Sequence, residues 1–372
     1  MKTILIITVS LSEKNGVGRY SQELVERLCK NFKLIIFTGK DDKCFKSPQN
    51  CQVFPILPNF SNFFKLRNPL IFIPCVWKIL KFSRGVDAVH SFMDYPHSFL
   101  ASIVSVLIGK PLILTANGTY SLEPFNMWPD RYFHKFALRR AKTIICISRF
   151  TQIELRKRIN ISTDVLINDG INFNKFGNYR FIEKRKNHSQ ILSVGTLKFR
   201  KGYHVSIPAL VGVKKEYPDI KYYIVGNHNN KAYWGELKSI VAKYKLEDNV
   251  AFLENIDDGK LIDLYYSSDI FVLTSVNMDD NFEGFGLVYL EAGACGKPVV
   301  GAYGSGAEDA IIDGQTGLLV PQGDVNKTTE AILRLLDNPE IARKMGESGK
   351  KFAQRMDWDN VVKKYIEIYE SD

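Results

Sequence analysis

Short apolar runs alternate along the chain with stretches whose apolar residues recur at helical spacing, and this alternation stops once and then starts again. Runs at 3–8, 33–37, 53–55, 88–91, 112–115 and 143–147 read as strands. Helices are expected over 19–30, where Leu24, Val25 and Leu28 share a face, and over 150–158. The Asn/Asp/Gly-rich stretch 168–178 and the charged, aperiodic stretch 183–190 then read as linker. A second series follows, with strands at 190–194, 221–225, 250–252, 270–274, 298–301 and 317–320. Its helices are expected over 203–217, 233–244, 258–267, 287–295 and 327–336. Strands separated by helices form βαβ units and a parallel sheet. The pattern predicts an α/β protein of two doubly wound domains in tandem, residues 1–178 and 179–355. Such sheets bind ligands beyond the carboxyl ends of their strands, so two of them facing each other are expected to enclose a cleft.

Composition narrows the class. With 45% hydrophobic, 24% charged and 12% aromatic residues, the 372-residue chain is neither disordered, collagen-like nor coiled-coil. Its six cysteines are sparse and show no C-x-x-C spacing. Free thiols in a reducing compartment are expected, rather than a disulfide framework or a zinc site. Residues 1–12 have the outline of a signal peptide, but one lysine is a weak basic start and the glycine loop after it requires a strand; a first buried strand is expected. The longest apolar stretch, 98–109, falls well short of the ~20 residues a spanning helix needs. A cytoplasmic location without a membrane-spanning anchor follows.

The segment richest in chemistry runs from Phe282 to Val300. A strand ends near Thr274, a polar loop with Asp279 and Asp280 follows, and Gly284 and Gly286 bracket a helix start. Glycines let backbone N–H groups approach an anion, and the helix N-terminus adds unpaired donors and a positive dipole end, which suits phosphate. The helix is expected to stop at Gly296, with Pro298 just beyond. Glu283 precedes this anion site and Glu291 lies eight residues later, inside the helix. A diphosphate repels carboxylates, so each is read either as an acceptor for sugar hydroxyls or as a structural residue, Glu283 capping the helix and Glu291 facing water. Leu290, Ala292 and Ala294 speak for a largely buried helix.

This segment resembles the E-x7-E motif of family 4 glycosyltransferases, which have the GT-B architecture of two Rossmann-like domains. Other stretches resemble that family in the same order along the chain. They are the glycine loop from Asn15 to Tyr20, with Gly16 and Gly18; Asn168 to Phe176; Gly195 to Gly202, a G-x-L-x-x-x-K-G phosphate motif; and the closing signature at Gly304 to Glu308 and Asp313 to Gly317. The resemblance implies roles. Glu283 would bind donor-sugar hydroxyls, and the amides of Gly284, Phe285, Gly286 and Leu287 would hold sugar and diphosphate. Glu291 would bind the ribose. Lys201 would neutralise the leaving diphosphate, with Arg200 or Lys198 beside it and Thr196 lining the donor site. Gly16 and Gly18 would bring the N-terminal loop near diphosphate and acceptor. The last helix, about 358–370, would cross back to the first domain, so that 356–372 belongs with it. Transfer would retain anomeric configuration and need neither metal nor cofactor.

Two departures stand out. Asn117 occupies the place of a frequent histidine; it can hydrogen-bond a sugar hydroxyl but cannot take a proton. Thr196 stands where many members have arginine, which leans toward the branch with mannosyl- and other hexosyltransferases of polysaccharide assembly. Asp357-Trp358-Asp359 matches a D-x-D metal motif, but capping of the last helix is the expected role. His90 and His97 lie near a strand end and read as ordinary polar residues rather than cleft ligands.

Charge divides at the linker. Residues 1–180 hold 26 basic and 12 acidic residues, whereas 181–372 hold 24 and 28. Phe60 to Arg84 interleaves aromatics with Lys65, Arg67, Lys78, Lys81 and Arg84, and 139–142 and 156–158 add further cations. That suits an anionic membrane surface better than nucleic acid, for which no recognition motif is present. The expected protein is a membrane-peripheral retaining hexosyltransferase using GDP-mannose or a UDP-hexose. Its acceptor is a glycan or a lipid-phosphate-linked sugar in cell-surface polysaccharide synthesis. A sugar-nucleotide epimerase of the same architecture is the alternative, and a nucleotide-sugar-binding protein without activity the outside one.

Overall fold

The computed structural model describes residues 1–12, 16–42, 47–58, 70, 72–180 and 188–371. Asn15, Cys44, the aromatic stretch 60–69 with Ile71, and linker residues 183–187 lie outside these. The chain divides into two compact units, Met1–Asp169 with Trp358–Asp372, and Gly170–Asp357.

In the first unit the apolar runs become β1 (Thr3–Ile7), β2 (Lys33–Gly39), β3 (Cys51–Leu57), β4 (Ala88–Ser91), β5 (Leu112–Ala116), β6 (Thr143–Cys146) and β7 (Asp164–Leu166). They form one parallel sheet in the order β3-β2-β1-β4-β5-β6-β7. β1 lies inside it between β2 and β4, with Ile4 to Ile7 fully buried, which is why the start of the chain is a solid apolar run. The connecting helices are α1 (Gly16–Leu28), α2 (Phe72–Leu80), α3 (His97–Ile108), α4 (Asp130–Arg140) and α5 (Arg149–Arg158). The second unit repeats the scheme with β8 (Gln190–Val194), β9 (Lys221–Val225), β10 (Val250–Leu253), β11 (Ile270–Val272), β12 (Val299–Ala302) and β13 (Gly317–Val320). This parallel sheet has the order β10-β9-β8-β11-β12-β13. Its helices are α6 (Tyr203–Glu216), α7 (Lys231–Lys243), α8 (Asp258–Ser267), α9 (Leu287–Ala294), α10 (Val325–Leu336) and α11 (Pro339–Arg355). Strand order reverses beside β1 and β4 in one sheet and beside β8 and β11 in the other, the two places where such sheets take ligands.

The division between units falls at Asp169/Gly170, not at 178/179. The polar stretch read as linker carries Phe173 and Phe176, both buried. Phe176 packs edge-on against Tyr265, and its carbonyl accepts the Tyr266 hydroxyl at 2.7 Å. Phe176 thus ties the segment to the second unit.

The last helix, α12 (Trp358–Ser371), returns to the first unit. Trp358, Val361, Val362, Tyr365 and Tyr369 enter the same core as Leu24, Val25 and Leu28 of α1. A buried hydrogen-bond chain fastens it. The Tyr369 hydroxyl meets His90 Nδ1 at 2.5 Å, His90 Nε2 meets Thr115 Oγ1 at 2.9 Å, and the Tyr20 and Tyr365 hydroxyls meet at 2.9 Å. Burial pulls the His90 imidazole down to about 3, so it sits neutral inside the core, and His97 is buried in the same way. The Asp357 carboxylate accepts the Phe173 amide, and Asp359 accepts the Arg27 guanidinium at 2.6 Å. Among the described residues the five cysteines are free.

Candidate active site

In the second unit, the loops leaving the two strands at the order reversal converge. The loop after β8 contains a single tight turn, Phe199–Lys201, and the loop after β11 runs through Ser275 to Glu283. Glu283 is 6% exposed and receives three donors on one oxygen, Oε2: Lys201 Nζ at 2.7 Å, Arg200 Nη1 at 3.0 Å and Ser275 Oγ at 3.2 Å. Burial alone pushes the Glu283 carboxyl up, but Lys201 and Arg200 outweigh it and hold it down at about 2. Burial and neighbouring Arg200 lower the Lys201 ammonium, and Glu283 opposes them. The result is a desolvated carboxylate with two cations around it. Glu283 therefore does not cap α9. Gly286 holds that position, at φ 89°, a left-handed conformation that glycine adopts without strain. No side chain caps this end, and α9 begins at Leu287 with the positive pole of its dipole at the loop that Glu283 closes.

The other donor-site candidates lie in the same unit. Phe285 is buried, while Gly284 and Leu287 are partly open. Gly306 donates its amide to the Glu283 carbonyl at 2.8 Å, which fixes the closing signature against the carboxylate's own backbone. Thr196 is partly open in the turn after β8, where its carbonyl accepts the Lys198 amide at 2.8 Å. Glu291 is half-buried on α9 and accepts the Tyr265 hydroxyl at 2.6 Å, so it is not a freely solvated helix residue.

The candidates of the first unit form a separate group. Gly16 is exposed and opens α1. Gly18 is buried, and a Cβ there would stand 2.0 Å from the Ser12 carbonyl oxygen, so the chain's own packing requires glycine. Asn117 follows β5 and is partly buried, with its backbone and side-chain N–H groups both bound to Asp94 Oδ2, at 2.9 and 3.2 Å. Sequence reasoning missed Ser275, Tyr265 and Asp94. Ser275 and Asp94 follow strands at the two reversals, which was a usable signal, whereas Tyr265 reads only as a helix residue. Among the described residues no three His, Cys, Asp or Glu side chains gather as a metal site.

Residues 176–352 match the family "Glycosyl transferases group 1", and residues 14–174 match "Glycosyltransferase Family 4". An uncharacterised glycosyltransferase of Methanocaldococcus jannaschii is 25% identical over 95% of this chain and 94% of its own length. A GDP-mannose-dependent phosphatidylinositol monomannoside mannosyltransferase of Mycolicibacterium smegmatis is 32% identical over 44% of this chain and 42% of its own. A glycosyltransferase structure from Rickettsia africae covers 100% of this chain and 98% of its own, at a TM-score of 0.81 and 21% identity. The Anabaena HepE protein with UDP-glucose covers all of both chains, at 0.77 and 20%.

Proposed function

Because the chain belongs to the family 4, group 1 glycosyltransferases, we propose that it moves a hexose from GDP-mannose or a UDP-hexose to a lipid-linked or glycan acceptor, with retention of configuration. The observation carrying this reading is the buried Glu283–Lys201–Arg200 cluster beside the N-terminus of α9. As the bond from the sugar to the diphosphate breaks, negative charge grows on the diphosphate. Fixed cations and helix amides in a desolvated pocket stabilise that charge without reorganising. Lys201 and Arg200 are the cations, and the amides from Gly284 to Leu287 the donors. Glu283 keeps both cations in place and offers its second oxygen to sugar hydroxyls, and Glu291 takes the ribose. The charge-stabilising groups in this proposal are all the protein's own, two cationic side chains and backbone amides, and no divalent cation is assigned a role.

The test is a panel of UDP- and GDP-sugars scored by thermal unfolding and slow donor hydrolysis. A true donor at 100 times its Kd stabilises by about 2.7 kcal/mol, or about 5 °C or more for units of this size. If no nucleotide sugar moves the transition, the reading is wrong. A freed epimer made without any acceptor would favour the epimerase instead.

The acceptor side of the proposal rests on the first unit. Helices α2, α3 and α4 touch through Phe72, Phe99, Phe133 and Phe136. Exposed Ile73, Trp77, Leu107, Trp128 and Tyr132 lie on or beside them, with Lys78, Lys81, Arg131 and Arg139. Their one acidic residue, Asp130, is buried and accepts the Tyr95 hydroxyl. Lys81 Nζ sits 3.3 Å above the Trp77 ring. Apolar side chains among unopposed cations match the boundary of an anionic bilayer. Among the described residues no helix is long and apolar enough to cross a membrane. On vesicles rich in anionic lipid, Trp77→Asp is expected to lower partitioning at least tenfold, and raised salt to weaken the wild type. Unchanged sedimentation with the vesicles would count against this surface.

A further inference from the structure

Helix α2 carries two apolar stripes where packing on its own unit needs one. Phe72, Cys75 and Ile79 form the first and are buried. Ile73, Trp77 and Leu80 recur at the same helical spacing on the next face, and Ile73 and Trp77 are 62% and 60% exposed. With Val76 they make one wall of a groove whose other wall is Phe99 and Ile103 of α3. Buried Phe72 lines it too and packs edge-on against Phe99, with ring centroids 5.4 Å apart. The groove has a volume of about 370 Å³ and is lined by aliphatic and aromatic side chains. Apolar cavities of ~150 Å³ already stay dry and take up small hydrocarbons.

Charge says what covers this groove. No acidic residue occurs from Phe72 to Val86 or from His97 to Lys110. Lys78, Lys81 and Arg84 are exposed, and Lys81 Nζ stands 3.3 Å above the ring of Trp77, a wall residue. A second copy of the chain would set these cations against their own counterparts, since a two-fold contact uses the same patch twice. An extended peptide would turn its backbone N–H and C=O groups toward hydrocarbon. A hydrocarbon chain has no such groups, and an anionic headgroup matches the cations. We infer that the groove takes one alkyl chain of an anionic bilayer lipid, with Lys81 and Lys78 meeting the phosphate of its headgroup. The inference rests on the membrane-surface reading above and adds to it: that reading needs apolar side chains at the bilayer boundary, whereas this one needs a single chain held between two helices.

The experiment titrates the full chain with n-alkyl phosphates of increasing length, each below its micelle concentration, and measures vesicle sedimentation in parallel. Wild type is expected to bind one chain saturably. Its Kd should fall by up to about fourfold per added methylene and level off once the chain outgrows the groove. A bromine on the chain should quench tryptophan emission in wild type and much less in Trp77→Phe. Val76→Phe takes the room of about two methylenes and keeps every cation, so it should weaken dodecyl phosphate about tenfold. If Val76→Phe does not fold, Ile103→Phe fills the same groove from α3. Lys81→Glu should weaken dodecyl phosphate and leave an uncharged dodecyl glycoside within about twofold, because only the headgroup contact is lost. A wild type that sediments with anionic vesicles but binds no alkyl phosphate saturably, or whose affinity rises with chain length without levelling, overturns the groove and leaves the surface reading standing. Unchanged binding in a folded Val76→Phe or Ile103→Phe does the same. Dimerisation that Val76→Phe abolishes would give the groove to a second copy and overturn the lipid. Alkyl phosphate binding without vesicle binding overturns the bilayer as its source, and the absence of both overturns the two readings together.

Discussion

Replacing Glu283 by glutamine is expected to lower kcat/KM at least 100-fold and to destabilise the protein by on the order of 3 kcal/mol. Both effects follow from one geometry. The carboxylate holds Lys201 and Arg200 at 2.7 and 3.0 Å while 6% exposed, so its loss leaves desolvated cations without a counter-charge. The stability figure comes from linkage. An ordinary glutamate titrates near ~4.3, and this one is held at about 2, a gap of on the order of 3 kcal/mol. The sign follows from the direction: a depressed carboxyl stabilises the fold above its unfolded pKa, and that contribution fades as pH falls through the folded value. The difference in unfolding free energy between wild type and Glu283→Gln should therefore be constant above about pH 5 and shrink from about pH 4 toward pH 2. The activity figure follows from electrostatics. Removing one fixed stabilising group from a water-poor site typically costs ~100- to 1,000-fold in rate, and here misplaced cations add to the loss of a sugar contact. Denaturant curves and donor turnover, both at a temperature where the variant is folded, separate the two effects. Turnover within threefold of wild type would remove Glu283 from the machinery. Glu283→Ala should be worse than Glu283→Gln in stability, because it adds a cavity beside the two cations.

Much of this architecture was legible in the sequence, for a physical reason. Strands of a parallel sheet are covered on both faces, so they appear as solid apolar runs, and β1, β8 and β12 stand out at once. β7 did not: three residues at a sheet edge, Asp164, Val165 and Leu166, carry too little apolar signal. α3 showed only as an apolar stretch. Its serines at 98, 102 and 105 are buried, with Ser102 and Ser105 bonded to backbone carbonyls, and they blur any polar face. The glycines around Gly286 marked a helix start, and the left-handed Gly286 does stand at the N-cap just before α9. What the sequence hid is pairing across distance. Glu283 and Lys201 are 82 positions apart, and only the strand-order reversal brings them together. Nothing local to Lys201 in the sequence shows that its ammonium also pairs with the Glu283 carboxylate. Gly18 carries a packing demand that no spacing shows, since a Cβ there would meet the Ser12 backbone.

Removing the final helix by ending the chain at residue 357 is expected to leave the first unit unfolded at 25 °C. α12 contributes Trp358, Val361, Val362, Tyr365 and Tyr369 to a core that also draws on β1, β2, β4, β5, β6 and α1. Each is 6% exposed or less. Fully burying an apolar side chain is worth ~1.5–3 kcal/mol, so five of them approach ~10 kcal/mol, within the ~5–15 kcal/mol that separates folded from unfolded domains. Truncation also strips partners from buried polar groups. His90 Nδ1 loses the Tyr369 hydroxyl, Tyr20 loses Tyr365, and neither is replaced by water inside an apolar core without cost. Graded variants separate packing from hydrogen bonding. Tyr369→Phe keeps the ring that stacks edge-on with Phe32 and His90 and removes only the hydroxyl, so about 1–2 kcal/mol should go. Tyr369→Ala removes the ring as well and should cost about 3–5 kcal/mol. Circular dichroism and hydrogen exchange of residues 1–169 read the outcome. A truncated chain whose β1 amides stay protected would show that the sheet holds without α12. Loss of protection across β1, β2 and β4, with β8 to β13 still protected, is the expected pattern, because α12 belongs to the first unit and supplies its core.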